Sequence, residues 1–273
     1  MTTTASTPPY RKLAADLRQR IEAGEFGPGD QLPSIPVLAR DLSISRQTAQ
    51  RAVDVLRDEG LTTTVPGRGT YVRAALPMSD RDAPRRYRWE KNRALITDDH
   101  QRGETGNSEH DIGLAKNEFE FFARYEHSVM TPEIASIFGC PNGTPVLNRH
   151  YKTMIRTTGL LTGFSCSYVP LALFEQNPAL LDSSNEPWPG GTMHQLRTVG
   201  VEVARIDDIV TARPATERDT RVLALPSGSA VIHIRKVSVS TAGDVVEVSD
   251  LTMPAYNVIL RFSTPLDPWP PES

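Results

Sequence analysis

The polar residues between positions 46 and 51 have the types and spacing that contact with nucleic acid requires. Arg46, Thr48, Gln50 and Arg51 stand between the apolar positions of a predicted helix and share its other face. Guanidinium and amide groups donate hydrogen bonds to base edges in the major groove of DNA. Arg68 is a second candidate, because the glycines beside it let the backbone approach a phosphate or a minor groove. A helix face of mixed polar residues is often simply solvated. Whether this one contacts DNA must therefore be judged from the neighbouring elements.

A second set of polar residues lies on predicted strands in the other half of the chain. Side chains alternate between the faces of a strand, and alternating positions supply Arg149, Tyr151, Ser165, Ser167, Glu247 and Ser249. An arginine inside an apolar domain needs an anion, either a carboxylate of the protein or one on a ligand. Two interpretations stay open: the set converges on one small ligand, or Arg149 and Glu247 form an internal ion pair and the domain only dimerises.

Three short helices must position the first set. Residues four apart predict a first helix that ends at Gly24, namely Leu13, Leu17 and Ile21. Ser34 is a candidate N-cap of a second helix, and Ser45 of a third. The third helix has the apolar spacing of a face that packs on a core, with Ala49, Ala52, Val53 and Leu56.

A two-stranded wing is predicted to follow these helices. Residues 61–65 and 70–72 are rich in Thr, Val and Tyr, and they flank the turn Pro66-Gly67-Arg68-Gly69. The residues expected to contact DNA in the helices and the wing are Ser34, Ser45, Arg46, Gln47, Thr48, Gln50, Arg51, Gly67, Arg68 and Gly69.

These segments, in this order, resemble a known DNA-binding domain. They include Pro9-Tyr10-Arg11-Lys12-Leu13, Gly24-Glu25-Phe26-Gly27-Pro28-Gly29-Asp30-Gln31-Leu32-Pro33-Ser34, Ser43-Ile44-Ser45-Arg46-Gln47-Thr48, Glu59-Gly60-Leu61 and Pro66-Gly67-Arg68-Gly69-Thr70-Tyr71-Val72. The chain is similar here to the winged helix-turn-helix domain of GntR-family bacterial transcription regulators. Relatives usually have Glu-Arg where this chain has Ile35-Pro36, and many have a second recognition-helix arginine at the position of Gln50. The operator sequence of other members therefore does not transfer.

Charge is distributed unevenly between the two halves. Residues 1–75 hold 10 Lys and Arg against 8 Asp and Glu, whereas residues 101–273 hold 14 against 20. A weakly basic N-terminal part on an acidic body fits a DNA-binding domain joined to a different module. The basic cluster between Arg81 and Arg93 either touches DNA phosphates or is solvated.

The second half alternates predicted strands with short helices. Strands are predicted at 119–129, 144–155, 160–168, 201–212, 230–241 and 244–253, with helices at 131–138 and 214–224. Two helix-turn-strand segments, 137–149 and 223–231, together with Ser167-Tyr168-Val169-Pro170 and Val246-Glu247-Val248-Ser249-Asp250, resemble the UTRA domain of HutC-type GntR regulators. The resemblance implies an α+β, chorismate lyase-like fold with an antiparallel sheet and a small-molecule pocket.

The resemblance also limits which ligand is expected. Relatives that bind phosphosugars place two basic residues where this chain has Arg149 and Tyr151, and relatives that bind amino sugars have an aromatic residue near Met253. This chain departs from both patterns, so the expected effector is a small polar or anionic metabolite of no named class. An enzyme is disfavoured, because nothing in the sequence has the spacing of a catalytic triad, a metal site or a phosphate loop.

The domain organisation predicted from these patterns has five parts. They are a disordered arm at 1–8, the DNA-binding domain at 9–75, a linker at 76–110, the UTRA domain at 111–265 and a tail at 266–273. The two cysteines, Cys140 and Cys166, lack metal-ligand spacing and predict reduced core thiols, with a redox pair as the alternative. With neither a secretory signal nor a membrane span, the chain is expected to be cytoplasmic. Since no cofactor or metal motif is present, no cofactor or metal is expected either.

The sequence therefore predicts a homodimeric repressor that binds a near-palindromic double-stranded operator. A small molecule in the C-terminal domain is expected to modulate that binding. The alternative is a repressor without an effector, for example of plasmid transfer genes, whose C-terminal domain serves only dimerisation.

Overall fold

A computed structural model describes residues 7–65, 67–73, 76–226 and 228–265. Most of the predicted arm, Pro66 of the wing turn, Ser227 and the predicted tail lie outside the described residues. The chain divides into two compact units, one of Met1–Leu76 with Arg213–Val231 and the other of Pro77–Ala212 with Ile232–Ser273.

The predicted helices and strands occur in the predicted order, together with further elements that the sequence did not predict. The helices are α1 (Pro9–Glu22), α2 (Ile35–Asp41), α3 (Arg46–Asp58), α4 (Ala83–Arg93), α5 (Asp99–Arg102), α6 (Asn107–Ile112), α7 (Pro132–Phe138), α8 (Leu171–Phe174), α9 (Gly191–Thr198) and α10 (Glu217–Val222). The strands are β1 (Thr62–Val65), β2 (Gly69–Val72), β3 (Ser79–Asp82), β4 (Phe119–Val129), β5 (Pro145–Ile155), β6 (Leu160–Pro170), β7 (Val203–Pro214), β8 (Ala230–Ser240), β9 (Val245–Pro254) and β10 (Val258–Arg261).

The first unit packs its helices around one apolar core. The apolar faces of α1, α2 and α3 meet there, and the core includes Leu13, Leu17, Leu38, Ala49, Ala52, Val53 and Leu56. Strands β1 and β2 pair antiparallel, with Thr62 opposite Val72 and Val65 opposite Gly69. Because Val72 joins the same core, the wing is anchored to the helices that it follows.

The second unit is built on a six-stranded antiparallel sheet in the order β4-β5-β6-β9-β8-β7. Helix α7 packs on one face over Val146, Val237, Val239 and Val248. The α+β fold predicted from the sequence is therefore confirmed. Strands β4 and β7 form the two edges of the sheet, and among the described residues each pairs with one neighbour. No helix within the described residues is long and apolar enough to cross a membrane.

Residues 76–110 differ from the predicted linker. They contain β3 and helices α4, α5 and α6, and β3 pairs parallel with β10 in the second unit. The basic residues that suggested a solvated hinge are partly buried, because Asp111 accepts hydrogen bonds from Arg81 at 3.1 Å and from Arg86 at 3.0 Å. This carboxylate follows its partners by 25 residues or more, so local charge did not reveal it. The other domain boundaries remain a prediction.

Two further features concern smaller expectations. Residues 213–231 lie in the stretch predicted as the C-terminal domain, and by their contacts they group with the first unit, where the Arg73 guanidinium donates to the Ala224 carbonyl oxygen. Cys140 and Cys166 form no disulfide within the described residues, and both are half-buried, whereas the sequence predicted core thiols.

Candidate DNA-binding surface and ligand cavity

The start of α3 is fixed by its own side chains. Ser45 Oγ accepts a hydrogen bond from the Thr48 backbone N–H at 3.1 Å and lies 2.8 Å from Thr48 Oγ1. This is the predicted cap, and it satisfies one of the amide groups that a helix leaves open at its first turn. Ser34 stands at the N-cap position of α2, but its side chain makes no capping hydrogen bond. The side-chain cap predicted at Ser34 is therefore not formed.

The exposed face of α3 divides into free and engaged side chains. Arg46 and Gln47 are exposed, and within the described residues their side chains make no hydrogen bond or ion pair. Gln50 donates to Asp54 Oδ1 at 3.1 Å, and the Arg51 guanidinium lies 4.7 Å from the centre of the Tyr10 ring. Arg46 and Gln47 can reach DNA without breaking an existing contact, whereas Gln50 would have to leave Asp54.

The wing tip is held by a contact that the sequence did not predict. The Arg68 carbonyl oxygen accepts hydrogen bonds from Gln31 Nε2 at 2.9 Å and from the Tyr71 hydroxyl at 3.1 Å, while the Arg68 side chain is exposed. Gly69 has a φ of +128°, a backbone conformation that residues with side chains rarely adopt, so this position favours glycine. The Gln31 hydrogen bond holds the backbone carbonyl group at the tip of the turn.

A cavity of about 1080 Å³ lies within the second unit. Polar residues of β5, β6, β8 and β9 form one wall, and residues of α4, α6 and the start of α9 form the other. Five of the six residues predicted to bind a ligand line it, namely Tyr151, Ser165, Ser167, Glu247 and Ser249. The strand register explains this convergence, because Ser167 stands opposite both Arg149 on β5 and Ser249 on β9.

Arg149, the sixth residue, lies behind the cavity wall. Its side chain is fully buried and does not line the cavity. Its guanidinium donates to Gln195 Oε1 and Ser167 Oγ, each at 2.6 Å, and to Glu247 Oε1 at 2.8 Å. The internal ion pair between Arg149 and Glu247 that the sequence left open is thus present. It fixes the side chains that do face the cavity.

Lys236 completes this charge network. Its ammonium lies 2.8 Å from Glu247 Oε2, so the one carboxylate bridges Lys236 and Arg149. Burial by itself would raise the pKa of Glu247, but Lys236 and Arg149 outweigh it and lower that pKa to about 2. Burial by itself would lower the pKa of Lys236, and Glu247 with Glu90 raises it. Glu247 is therefore a carboxylate held between two cations.

Two tyrosines and a glutamate make a second polar cluster at the cavity. Glu186 Oε1 accepts hydrogen bonds from the hydroxyl groups of Tyr125 and Tyr151 and from Gln195 Nε2, the last at 2.9 Å. Burial first, and the nearby Glu186 second, raise the pKa of Tyr125 to about 12. Both tyrosines thus keep their protons near neutral pH and donate to Glu186, which leaves the Tyr151 ring as a wall of the cavity.

Two family models match the chain. Residues 9–72 match the model described as bacterial regulatory proteins, gntR family, and residues 122–258 match the UTRA domain. The second match alone spans half of the chain. The chain belongs to the GntR family. It is a transcriptional regulator with a DNA-binding helix-turn-helix domain and a UTRA domain, the arrangement of the HutC subfamily.

Several relatives align with this chain over most of their length. An uncharacterised HTH-type transcriptional regulator of Streptomyces coelicolor is 28% identical over 248 residues, which cover 88% of this chain and 86% of that protein. The HTH-type transcriptional repressor NagR of Bacillus subtilis is 25% identical over 243 residues, which cover 88% of each. The crystal structure of PhnF from Mycobacterium smegmatis superposes with a TM-score of 0.53 at 16% identity, covering 93% of this chain and 100% of PhnF. This structural likeness shows the fold alone.

Sequence patterns missed several residues that form the cavity of about 1080 Å³ in the second unit, called the UTRA cavity from here on. Lys236 alternates with Ile234 and Ser238 on β8, and this spacing is a signal that could have found it. Glu186 and Gln195 belong to irregular and helical segments whose proximity to β5 no local pattern shows. Glu90 and Arg93 of α4 lay in the stretch interpreted as a linker. Except for Lys236, contacts between residues distant in the chain, rather than local sequence patterns, place these residues at the cavity.

Proposed function

We propose that this GntR-family regulator is a repressor whose affinity for its operator changes when a small molecule occupies the UTRA cavity. The observation that carries the proposal is the cavity of about 1080 Å³ on the polar face of the sheet. Pockets of this size and mixed lining are those in which proteins enclose small ligands. The relative NagR is named a transcriptional repressor, and this supports repression, rather than activation, by the present chain.

The residues assigned to DNA contact have side chains that are exposed and, among the described residues, not engaged in other contacts. Arg46 and Gln47 at the start of α3, together with Arg68 at the wing tip, are exposed and unengaged by other side chains of the described residues. The first turn of the second helix of a helix-turn-helix enters the major groove, so Arg46 is assigned to base edges or the nearest phosphates. Arg68 is assigned to the DNA backbone or the minor groove.

The proposed regulator acts as a homodimer on a near-palindromic duplex. The chain carries one winged helix-turn-helix, and one such domain buries little DNA surface, so two-fold symmetry matches two half-sites. We expect sedimentation of the full chain at about micromolar concentration to give twice the monomer mass, and a complex of two chains per duplex. A monomer both free and on DNA would contradict this assignment.

Filling the UTRA cavity is expected to abolish regulation and leave operator binding intact. Ser249 is half-buried at the centre of the polar wall, so Ser249→Phe places a ring where the ligand would lie. A metabolite screen by thermal shift identifies a ligand, since a molecule that binds only the folded state raises apparent stability. Operator binding is then followed by fluorescence anisotropy with and without that ligand.

The matched control is His127→Phe, on an exposed position of β4 outside the cavity. We expect the ligand to release the wild type and this control from the operator at the same concentration, and Ser249→Phe to stay bound. A switch requires different affinities for the DNA-competent and DNA-incompetent states. Release of Ser249→Phe at the wild-type concentration would place the ligand elsewhere.

A second candidate function is repression without an effector. The ion pair between Arg149 and Glu247 favours it, because the arginine already has a protein carboxylate and needs no ligand anion. In that case no metabolite that stabilises the chain changes its operator affinity. The anisotropy measurement separates the two candidates.

A further inference from the structure

Two buried polar atoms in the wall of the UTRA cavity have no hydrogen-bond partner among the described residues. They are Glu90 Oε2 and Arg93 Nε, and both side chains line the cavity. Glu90 is 2% exposed and Arg93 is 7% exposed. A buried polar atom without a partner costs roughly 1–3 kcal/mol, so the pair indicates groups that a ligand completes.

The two atoms belong to one face of one helix. Glu90 and Arg93 are three residues apart on α4, a spacing that brings side chains together. The rest of Arg93 is fixed, because its guanidinium donates to the Thr105 carbonyl oxygen and to Asn107 Oδ1 at 3.4 Å. The nearest cation to Glu90 Oε2 is Arg86 Nη1 at 3.9 Å, too far for a hydrogen bond. An acceptor and a donor thus lie on the same face of α4.

Two buried cations of the cavity already have protein carboxylates as partners, whereas the Arg93 guanidinium donates to a carbonyl and an amide oxygen. Arg86 is paired with Asp111 at 3.0 Å, and Lys236 with Glu247 at 2.8 Å. A phosphate or carboxylate on a ligand would have to break one of these pairs to reach Arg86 or Lys236. At Arg93 it would lie on the same helix face as the Glu90 carboxylate. Removing one member of a buried pair costs several kcal/mol, so these pairs disfavour an anionic ligand.

We propose that the cavity binds an uncharged polyhydroxylated molecule, a sugar or a sugar alcohol, through Glu90 and Arg93. One hydroxyl group donates to Glu90 Oε2, and the oxygen of the same or the adjacent hydroxyl accepts from Arg93 Nε. Hydroxyl groups suit this pair because each is both donor and acceptor. The aromatic rings of Tyr151 and Phe121, with centroids 5.5 Å apart, also line the cavity and offer apolar surface to the C–H face of such a ring.

This inference rests on the proposed function only in placing the ligand in the UTRA cavity, and binding tests it without DNA. The full-length chain is titrated calorimetrically with matched sets: neutral hexoses, hexitols and disaccharides, and the corresponding sugar phosphates and sugar acids. We expect a neutral compound to bind more tightly than its charged counterparts. Glu90→Gln is expected to weaken that binding about tenfold or more, because it removes a charge-assisted hydrogen bond and keeps the size of the side chain.

The control is Glu120→Gln, which changes a carboxylate at the edge of the same cavity that is already paired with Arg156 at 3.4 Å. We expect it to bind the neutral compound within about twofold of the wild type, and both variants to unfold at temperatures near that of the wild type.

Binding by charged members alone, equal affinity of Glu90→Gln and wild type, or no binding by any neutral member each overturns the inference. If a charged ligand releases the operator while Glu90→Gln has no effect, the proposed function stands and this assignment fails. If a neutral ligand binds through Glu90 without changing operator affinity, the assignment stands and the proposed function fails.

Discussion

Glu247→Gln is expected to lower the free energy of unfolding of the UTRA domain by about 3–5 kcal/mol. The carboxylate lies between Arg149 at 2.8 Å and Lys236 at 2.8 Å, and all three side chains are buried or nearly so. Glutamine keeps the shape of the side chain but leaves two buried cations without an anion. Urea denaturation at neutral pH, followed by circular dichroism of the full chain, measures the loss.

Glu126→Gln is the matched control, because Glu126 pairs with Arg124 on the exposed edge strand β4. Exposed pairs contribute little, so we expect a change below about 1 kcal/mol. If Glu247→Gln unfolds at the same urea concentration as this control, the network does not stabilise the domain in the way its geometry indicates.

The pH dependence gives the same network a second signature. The pKa of Glu247 falls from its usual value of 4.5 to about 2 in the folded chain. A lowered pKa adds stability that is fully present above pH 4.5 and is lost as the pH falls toward 2. The difference in stability between wild type and Glu247→Gln should therefore shrink over this range. A difference that stays constant from pH 5 to pH 2.5 would contradict the assignment.

Arg46→Ala is expected to weaken specific operator binding by roughly 1–3 kcal/mol, or about 5- to 150-fold. Arg46 is exposed at the first turn of α3, and Ser45 caps that turn without involving Arg46. The operator is obtained by selecting duplexes from a random library with the wild-type chain. Fluorescence anisotropy at physiological salt then compares the variants on the selected duplex and on a scrambled one.

Two other arginines of the same domain act as comparisons. Arg57→Ala changes the last turn of α3, where Arg57 pairs with Asp54 at 2.9 Å, and should leave affinity unchanged. Arg68→Ala, at the wing tip, should weaken binding to both duplexes by similar factors. Normal affinity of Arg46→Ala for the selected duplex would mean that α3 does not present its first turn to the bases.

Local patterns in the sequence predict the DNA-binding domain well. The α3 helix follows from the cap at Ser45 and the spacing of Ala49, Ala52 and Val53, all of which act within a few residues. The six strands of the large sheet follow from β-branched runs and alternation, with ends within two residues of those predicted. The two strands of the wing also follow from local patterns. The hydrogen bond from Gln31 to the Arg68 carbonyl oxygen does not, because the two residues are 37 positions apart.

Residues whose partners are distant in the chain could not be assigned in the same way. Arg149 and Tyr151 were expected to point the same way, and they share one face of the sheet. However, alternation says nothing about depth, so it placed Arg149 in the pocket when Gln195 and Glu247 enclose it. Arg86 looked solvated because its neighbours are basic, and its neutralising partner, Asp111, lies in another helix.

The two edge strands of the sheet have consequences for colloidal behaviour. Strands β4 and β7 are 11 and 12 residues long, lengths at which an open edge invites pairing with another chain. Each places opposite charges two residues apart on an exposed face, with Arg124 beside Glu126 and Arg205 beside Asp207. An incoming strand would have to pair with these charges or strip water from them. These charges therefore discourage non-specific edge-to-edge pairing between chains at the concentrations reached during expression. A strand of another protein that carries complementary charges can still pair with β4 or β7.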